Sequence, residues 1–223
     1  IADDAVESEH LNNNIISGQT ALAESPADTD EFLVSDGGTI KRIDYSHIKG
    51  GGAYTKLLTT TVSSGVSEVT FNSTYITSTY NDYMVIISDL VSADVQPIRI
   101  QFSDDNGSST KANYDFILFG QSSDGTTNTV RATSGATSID LTRNLRSQSD
   151  ANAWIEIHLN GLSSTALASH ATWQCGFEDN SDQANIMIGN GYDPETTATN
   201  YIRFFMASGN ISLGKFTLYG RST

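Results

Sequence analysis

Beyond residue 53 the chain alternates apolar and polar positions in short runs. In Pro97–Ser103, Ile98, Ile100 and Phe102 share one phase, and Arg99, Gln101 and Ser103 share the other. In Trp154–Asn160, Ile155, Ile157 and Leu159 alternate with Trp154, Glu156 and His158. A period of two sends successive side chains to opposite faces, so each run predicts a strand with one face on a core. Strand candidates run Tyr54–Val62, Ser67–Phe71, Asp82–Val91, Pro97–Ser103, Tyr114–Gly120 and Asn128–Thr133. Further ones are Ser138–Leu141, Ala153–Leu162, His170–Glu178, Ala184–Ile188, Tyr201–Ala207 and Lys215–Arg221. Between them stand Asp105-Asn106-Gly107, Asp124-Gly125, Asn160-Gly161, Asn190-Gly191 and Ser208-Gly209-Asn210. These residue types tolerate positive φ and predict turns. Many short strands with regular turns, and no capped 3.6-residue apolar period, predict a mainly β fold: a jelly-roll-like antiparallel β-sandwich over residues 53–223.

Two runs depart from strict alternation. Met84–Ile87 and Tyr201–Ala207 are apolar on both phases, Arg203 aside. A strand apolar on both faces is covered on both, and a two-layer sandwich covers only one, so the excess predicts a subunit interface.

Residues 1–52 read differently. Ile1, Ala5, Ser8, Leu11, Ile15 and Ile16 fall near a 3.5-residue helical spacing over a stretch too short to be stable alone. Two β runs, Thr29–Asp36 and Thr39–Ile43, flank Gly37-Gly38 and predict a hairpin. Gly50-Gly51-Gly52 reads as a linker. The segment has too few apolar residues for a core of its own and is expected to order against partners, most simply copies of itself in a homotrimer.

Composition narrows the function classes. Of 223 residues 53 are Ser or Thr, and only 17% are charged, which argues against a coiled coil or helical bundle. A net charge of −14 is poorly suited to nucleic acid or to anionic membrane surfaces, where clustered Lys and Arg supply the affinity. No apolar run approaches the roughly 18 residues needed to span a bilayer. Cys175 is alone, so no intrachain disulfide forms, and its phase with Trp173 and Phe177 predicts a buried structural thiol.

Candidate chemistry is sparse. His10, His47, His158 and His170 are scattered without metal-ligand spacing, and no nucleophile elbow or phosphate loop is present. Ser103-Asp104-Asp105-Asn106-Gly107 opens like a calcium loop but lacks the closing Glu, so it reads as a hairpin turn. Asp179-Asn180-Ser181-Asp182 and Asp193-Pro194-Glu195 read as acidic loops. The expectation is a protein that is not an enzyme and carries no cofactor or metal. Trp154, Tyr201 and Tyr219 are the candidate ligand-binding residues: as outward aromatics they could stack on sugar rings or fill a subunit interface.

Three stretches carry a family resemblance. They are Pro26–Ile43, Tyr80–Leu90 with Arg99–Ser103 and its Asp-Asn-Gly turn, and Ser208–Gly220. Each resembles segments recurring in tail-fibre and other virion-surface proteins of marine and cyanobacterial phages. The resemblance implies a virion structural protein, with residues 1–52 as the attachment segment to other virion proteins and residues 53–223 as the displayed head. Two roles stay open. One is a trimeric receptor-binding tip presenting loops to a host-surface glycan; the other is a capsid decoration protein gripping capsomers through its N-terminal segment.

Overall fold

The computed structural model describes residues 18, 20–48, 54–125 and 127–221. The helix expected near the N-terminus and the Gly50–Gly52 linker lie outside the described residues. The chain divides into two compact units, residues 1–51 and 52–223.

The first unit is built around the expected hairpin. Strands β1 (Glu31–Asp36) and β2 (Thr39–Asp44) pair in register from Glu31↔Asp44 to Asp36↔Thr39. Gly37 and Gly38 take φ of 59° and 83°, the two positive values that a two-residue turn needs if it is to match the twist of its strands. One helical turn not foreseen in the sequence, α1 (Tyr45–Ile48), follows β2. Its Tyr45 ring lies 6.1 Å from Phe32. No described residue of 18–48 is buried, and Leu33 and Ile40 stand largely in solvent.

In the second unit the chain runs β3 (Thr55–Val62), β4 (Glu68–Phe71), β5 (Asp82–Ser92), β6 (Ile98–Ser103), β7 (Tyr114–Ser122) and β8 (Thr127–Ala136). It continues through β9 (Ile139–Asp140), β10 (Ala153–Asn160), β11 (Ser169–Glu178), β12 (Ala184–Asp193), β13 (Tyr201–Met206) and β14 (Ile211–Arg221). An eight-stranded sheet has the order β3-β14-β5-β10-β11-β12-β7-β8, and a four-stranded sheet the order β4-β13-β6-β9. Every pairing is antiparallel. The two sheets form a β-sandwich.

Alternation sets what lies between them. Ile155, Ile157 and Leu159 on β10, and Ile98, Ile100 and Phe102 on β6, are fully buried as their phase requires. Phe204 of the small sheet packs 6.2 Å from Phe71 and 5.7 Å from Phe216 of the large sheet, joining the layers. The Tyr114 hydroxyl accepts a hydrogen bond from Phe102 N at 2.8 Å, a polar tie across the same core. The Trp173 indole N–H donates to the Leu141 carbonyl at 2.8 Å. Part of the double apolarity of β13 is covered within the chain, because the Arg203 guanidinium lies 4.6 Å from the centre of the Phe205 ring.

Two sequence readings are corrected. Asn190-Gly191 is not a turn: β12 runs through it to Asp193. Gly191 is there for closeness, since a Cβ would sit 3.0 Å from both Phe116 and Ile139. Asp193 is not part of an acidic surface loop either. It is fully buried and faces Lys111 Nζ at 2.9 Å.

Candidate functional site

The outer face of the large sheet is laid out by register. One row runs Tyr219–Met84–His158–Thr172–Asn190–Ile117, and the next Thr217–Ile86–Glu156–Gln174–Ile188–Phe119. Side chains in these rows are cross-strand neighbours on one surface. Where β7, β12, β11 and β10 lie side by side, the rows form a groove of about 390 Å³. Ile117, Phe119 and Ile188 form its apolar wall, and Glu156 and His158 its polar one. Thr172, Gln174 and Asn190 also line it, with the buried Trp173 and Gly189. Phe119, Ile188 and Ile117 are 42–45% exposed, and Ile186, one row on, is 63% exposed. Such a stripe contrasts with a chain of net charge −14 and is a candidate contact surface.

Polar contacts organise the groove. His158 Nε2 lies 2.8 Å from Glu156 Oε1, and the Tyr54 hydroxyl approaches His158 Nδ1 at 3.4 Å. Asn190 Nδ2 donates to Thr172 Oγ1 at 3.1 Å. No Lys or Arg is among the residues lining the groove. Beside it His170 stacks on Tyr192 at 5.4 Å, and the Tyr192 hydroxyl donates to Asp115 at 3.1 Å.

The three aromatics singled out from the sequence do not converge. Trp154 is 39% exposed on the large outer face, one row beyond Glu156 and outside the groove lining. Tyr219 is half-buried on the same face, separated from β10 by β5. Tyr201 belongs to the outer face of the small sheet, where its ring packs under the 103–109 turn; a Cβ at Gly107 would lie 2.8 Å from it. The groove residues escaped the sequence reading although a signal was present. Phe116–Phe119 and Ile186–Ile188 are apolar on both phases, as Met84–Ile87 is.

The acidic motifs are occupied by their own backbones. The Asp105 carboxylate accepts from the Ser103 hydroxyl at 2.6 Å, from the Ser109 hydroxyl at 2.7 Å and from Ser109 N at 2.9 Å. The Ser103 and then Ser109 hydroxyls, with the Ser109 N–H, hold its pKa down at about 2. Asp179 Oδ1 accepts from Ser181 N at 2.8 Å and from Gln183 N at 3.2 Å, closing the β11–β12 turn. Among the described residues no cluster of three or more His, Cys, Asp or Glu is placed to hold a metal. Cys175 is buried, and burial pushes its thiol up to about 12. A carboxylate with a depressed pKa supports its turn fully above the unfolded value near 3.9 and loses that support as pH falls through the folded value. Asp105 should therefore titrate near pH 2 when followed by carboxyl NMR shifts, with the 103–109 amides changing together. A midpoint near 4 would contradict the hydrogen-bonded turn.

No family model, no curated protein and no solved structure matches the chain.

Proposed function

We propose that the chain is a structural adhesion protein of a phage particle, a homotrimer whose β-sandwich presents the groove of its large sheet to a neutral host-surface glycan. One observation carries the reading: apolar Ile117, Phe119 and Ile188 line a groove of about 390 Å³ together with hydrogen-bonding groups of Glu156, His158, Gln174 and Asn190. A sugar ring has the matching two-sided chemistry, with an apolar C–H face and a rim of hydroxyls. Glu156, with no cation in the lining, disfavours an anionic sugar and leaves a neutral one. The resemblance of Pro26–Ile43 and Ser208–Gly220 to phage virion-surface proteins supplies the setting, with residues 1–52 as the attachment segment.

Binding to an array of neutral oligosaccharides tests this reading. Phe119→Ala and Gln174→Ala should each weaken the best-bound glycan about tenfold, the loss of roughly 1.4 kcal/mol. An array without signal overturns the glycan reading. Light scattering should give three times the 24.0 kDa chain mass. A 24.0 kDa species at micromolar concentration overturns the trimer.

A second reading, capsid decoration, is favoured by Ile186, which continues the apolar stripe outside the groove and is its most exposed member. There the stripe is a seam between subunits. Ile186→Lys would then dissociate the oligomer, whereas under the glycan reading it leaves the mass unchanged.

A further inference from the structure

Lys111 and Asp193 are the most deeply buried ion pair among the described residues, with side chains 3% and 0% exposed. They are brought together by the fold rather than by sequence. Lys111 lies between β6 and β7, where its N–H donates to the Phe102 carbonyl at 2.9 Å, and Asp193 is the last residue of β12. Lys111 Nζ is 2.9 Å from Asp193 Oδ2 and also donates to the Thr197 carbonyl at 2.7 Å. The two carboxylate oxygens are not equivalent. Oδ1 accepts the Glu195 N–H at 3.0 Å, whereas Oδ2, despite the adjacent amine, makes no hydrogen bond. The amine therefore touches the carboxyl group without the alignment of an ordinary ion-pair hydrogen bond.

We propose that Lys111 and Asp193 condense into an intramolecular isopeptide bond. One proton passes from the Lys111 ammonium to Asp193 Oδ2, converting the ion pair into an amine and a carboxylic acid. The Nζ lone pair then forms the bond to Cγ, and the negative charge developing on Oδ1 falls where the Glu195 N–H already points. A second proton leaves Nζ for Oδ2, the Cγ–Oδ2 bond breaks, and one water departs. Atoms and charge balance with no oxidant, reductant or other reactant. The Thr197 carbonyl orients the amine, and holding both groups in contact replaces a bimolecular encounter by an intramolecular one. Condensation also removes two opposite charges from a place where desolvation penalises both, and exclusion of water opposes hydrolysis of the amide. Lys41 and Asp36 are the internal control. They make a closer contact, at 2.5 Å, but with side chains 58% and 65% exposed they gain nothing from burial and stay an ion pair.

Intact-mass spectrometry of the whole chain in denaturant, followed by peptide mapping, tests the bond. The expected mass is that of the sequence less one water, with a branched peptide joining Lys111 to Asp193. Lys111→Arg, which keeps the cation but does not form this amide, should restore the full sequence mass; Lys41→Arg should leave the water loss in place. The branched peptide comes from the native chain, so the result holds whether or not the arginine variant folds. A native chain of full sequence mass overturns the proposal. So does a water loss that persists in Lys111→Arg, which would assign the dehydration to an Asp-Gly step such as Asp36-Gly37.

Discussion

Replacing Gly189 with alanine should lower the melting temperature by about 6–12 °C, the shift expected for roughly 3 kcal/mol in a chain of this size. Gly189 pairs with Trp173 across β11 and β12, and the indole lies over the glycine on the core side. A Cβ at 189 would stand 2.2 Å from Trp173 Cζ2, less than any non-bonded contact allows. The ring has nowhere to go. It is 2% exposed, and its N–H is committed to Leu141 O at 2.8 Å. Moving the indole leaves the buried Leu141 carbonyl with only the weak Cys175 thiol donor at 3.6 Å, and moving β12 disturbs the strand that carries Ile188 and Asn190 into the groove. Gly176→Ala on β11 is the control, because its Cβ would meet nothing nearer than 3.9 Å, and this variant should melt as the native chain does. Trp173→Phe removes the part of the ring that clashes, so the double variant Trp173→Phe, Gly189→Ala should be more stable than the sum of the two single changes implies. Scanning calorimetry on the native chain and the four variants decides it, and a Gly189→Ala protein with an unchanged midpoint would show that the two strands lie farther apart.

The same pair explains what could be read in the sequence and what could not. The phase of Trp173, Cys175 and Phe177 was legible because the buried face of β11 is apolar from Ala171 to Phe177, and alternation alone placed those residues inside. The strand positions followed from the same rule, since a sandwich buries one face of each strand along most of its length. Glycine carries two meanings, however. At Gly37-Gly38 it supplies positive φ for a turn, and the hairpin was read correctly. At Gly191 it makes room for Phe116 and Ile139, and the residues were misread as a turn. A single sequence does not distinguish freedom of the backbone from closeness of a neighbour. The Lys111–Asp193 contact was invisible for a different reason, because no periodicity links a loop after β6 to the end of β12. The groove was half legible. Its apolar wall comes from strands whose outward phase is apolar, but that β7 and β12 are neighbours follows only from the strand order.

Phe204→Ala should be among the most damaging single changes in the chain, with a loss of about 3–5 kcal/mol, while Phe205→Ala on the next residue should cost about 1 kcal/mol or less in the monomer. Phe204 is completely buried and touches both layers, lying edge-on to Phe71 of β4 and tilted against Phe216 of β14. Its removal subtracts the transfer free energy of a whole ring and leaves a cavity between two sheets, neither of which can close over it without moving the other. Phe205 points the opposite way. It is half-buried beneath the Arg203 guanidinium, which is itself held by Gln101 at 2.7 Å and Glu68 at 3.1 Å. Truncating it removes a cation–π contact on the surface and opens no void. Urea unfolding separates the two, as a large fall in midpoint at constant slope for Phe204→Ala and little change for Phe205→Ala. Equal losses would mean that β13 is covered on both faces, and the outer cover would then be another subunit. A dependence of the Phe205→Ala loss on protein concentration would identify that cover as a second copy of the chain, because only an assembled state links stability to concentration.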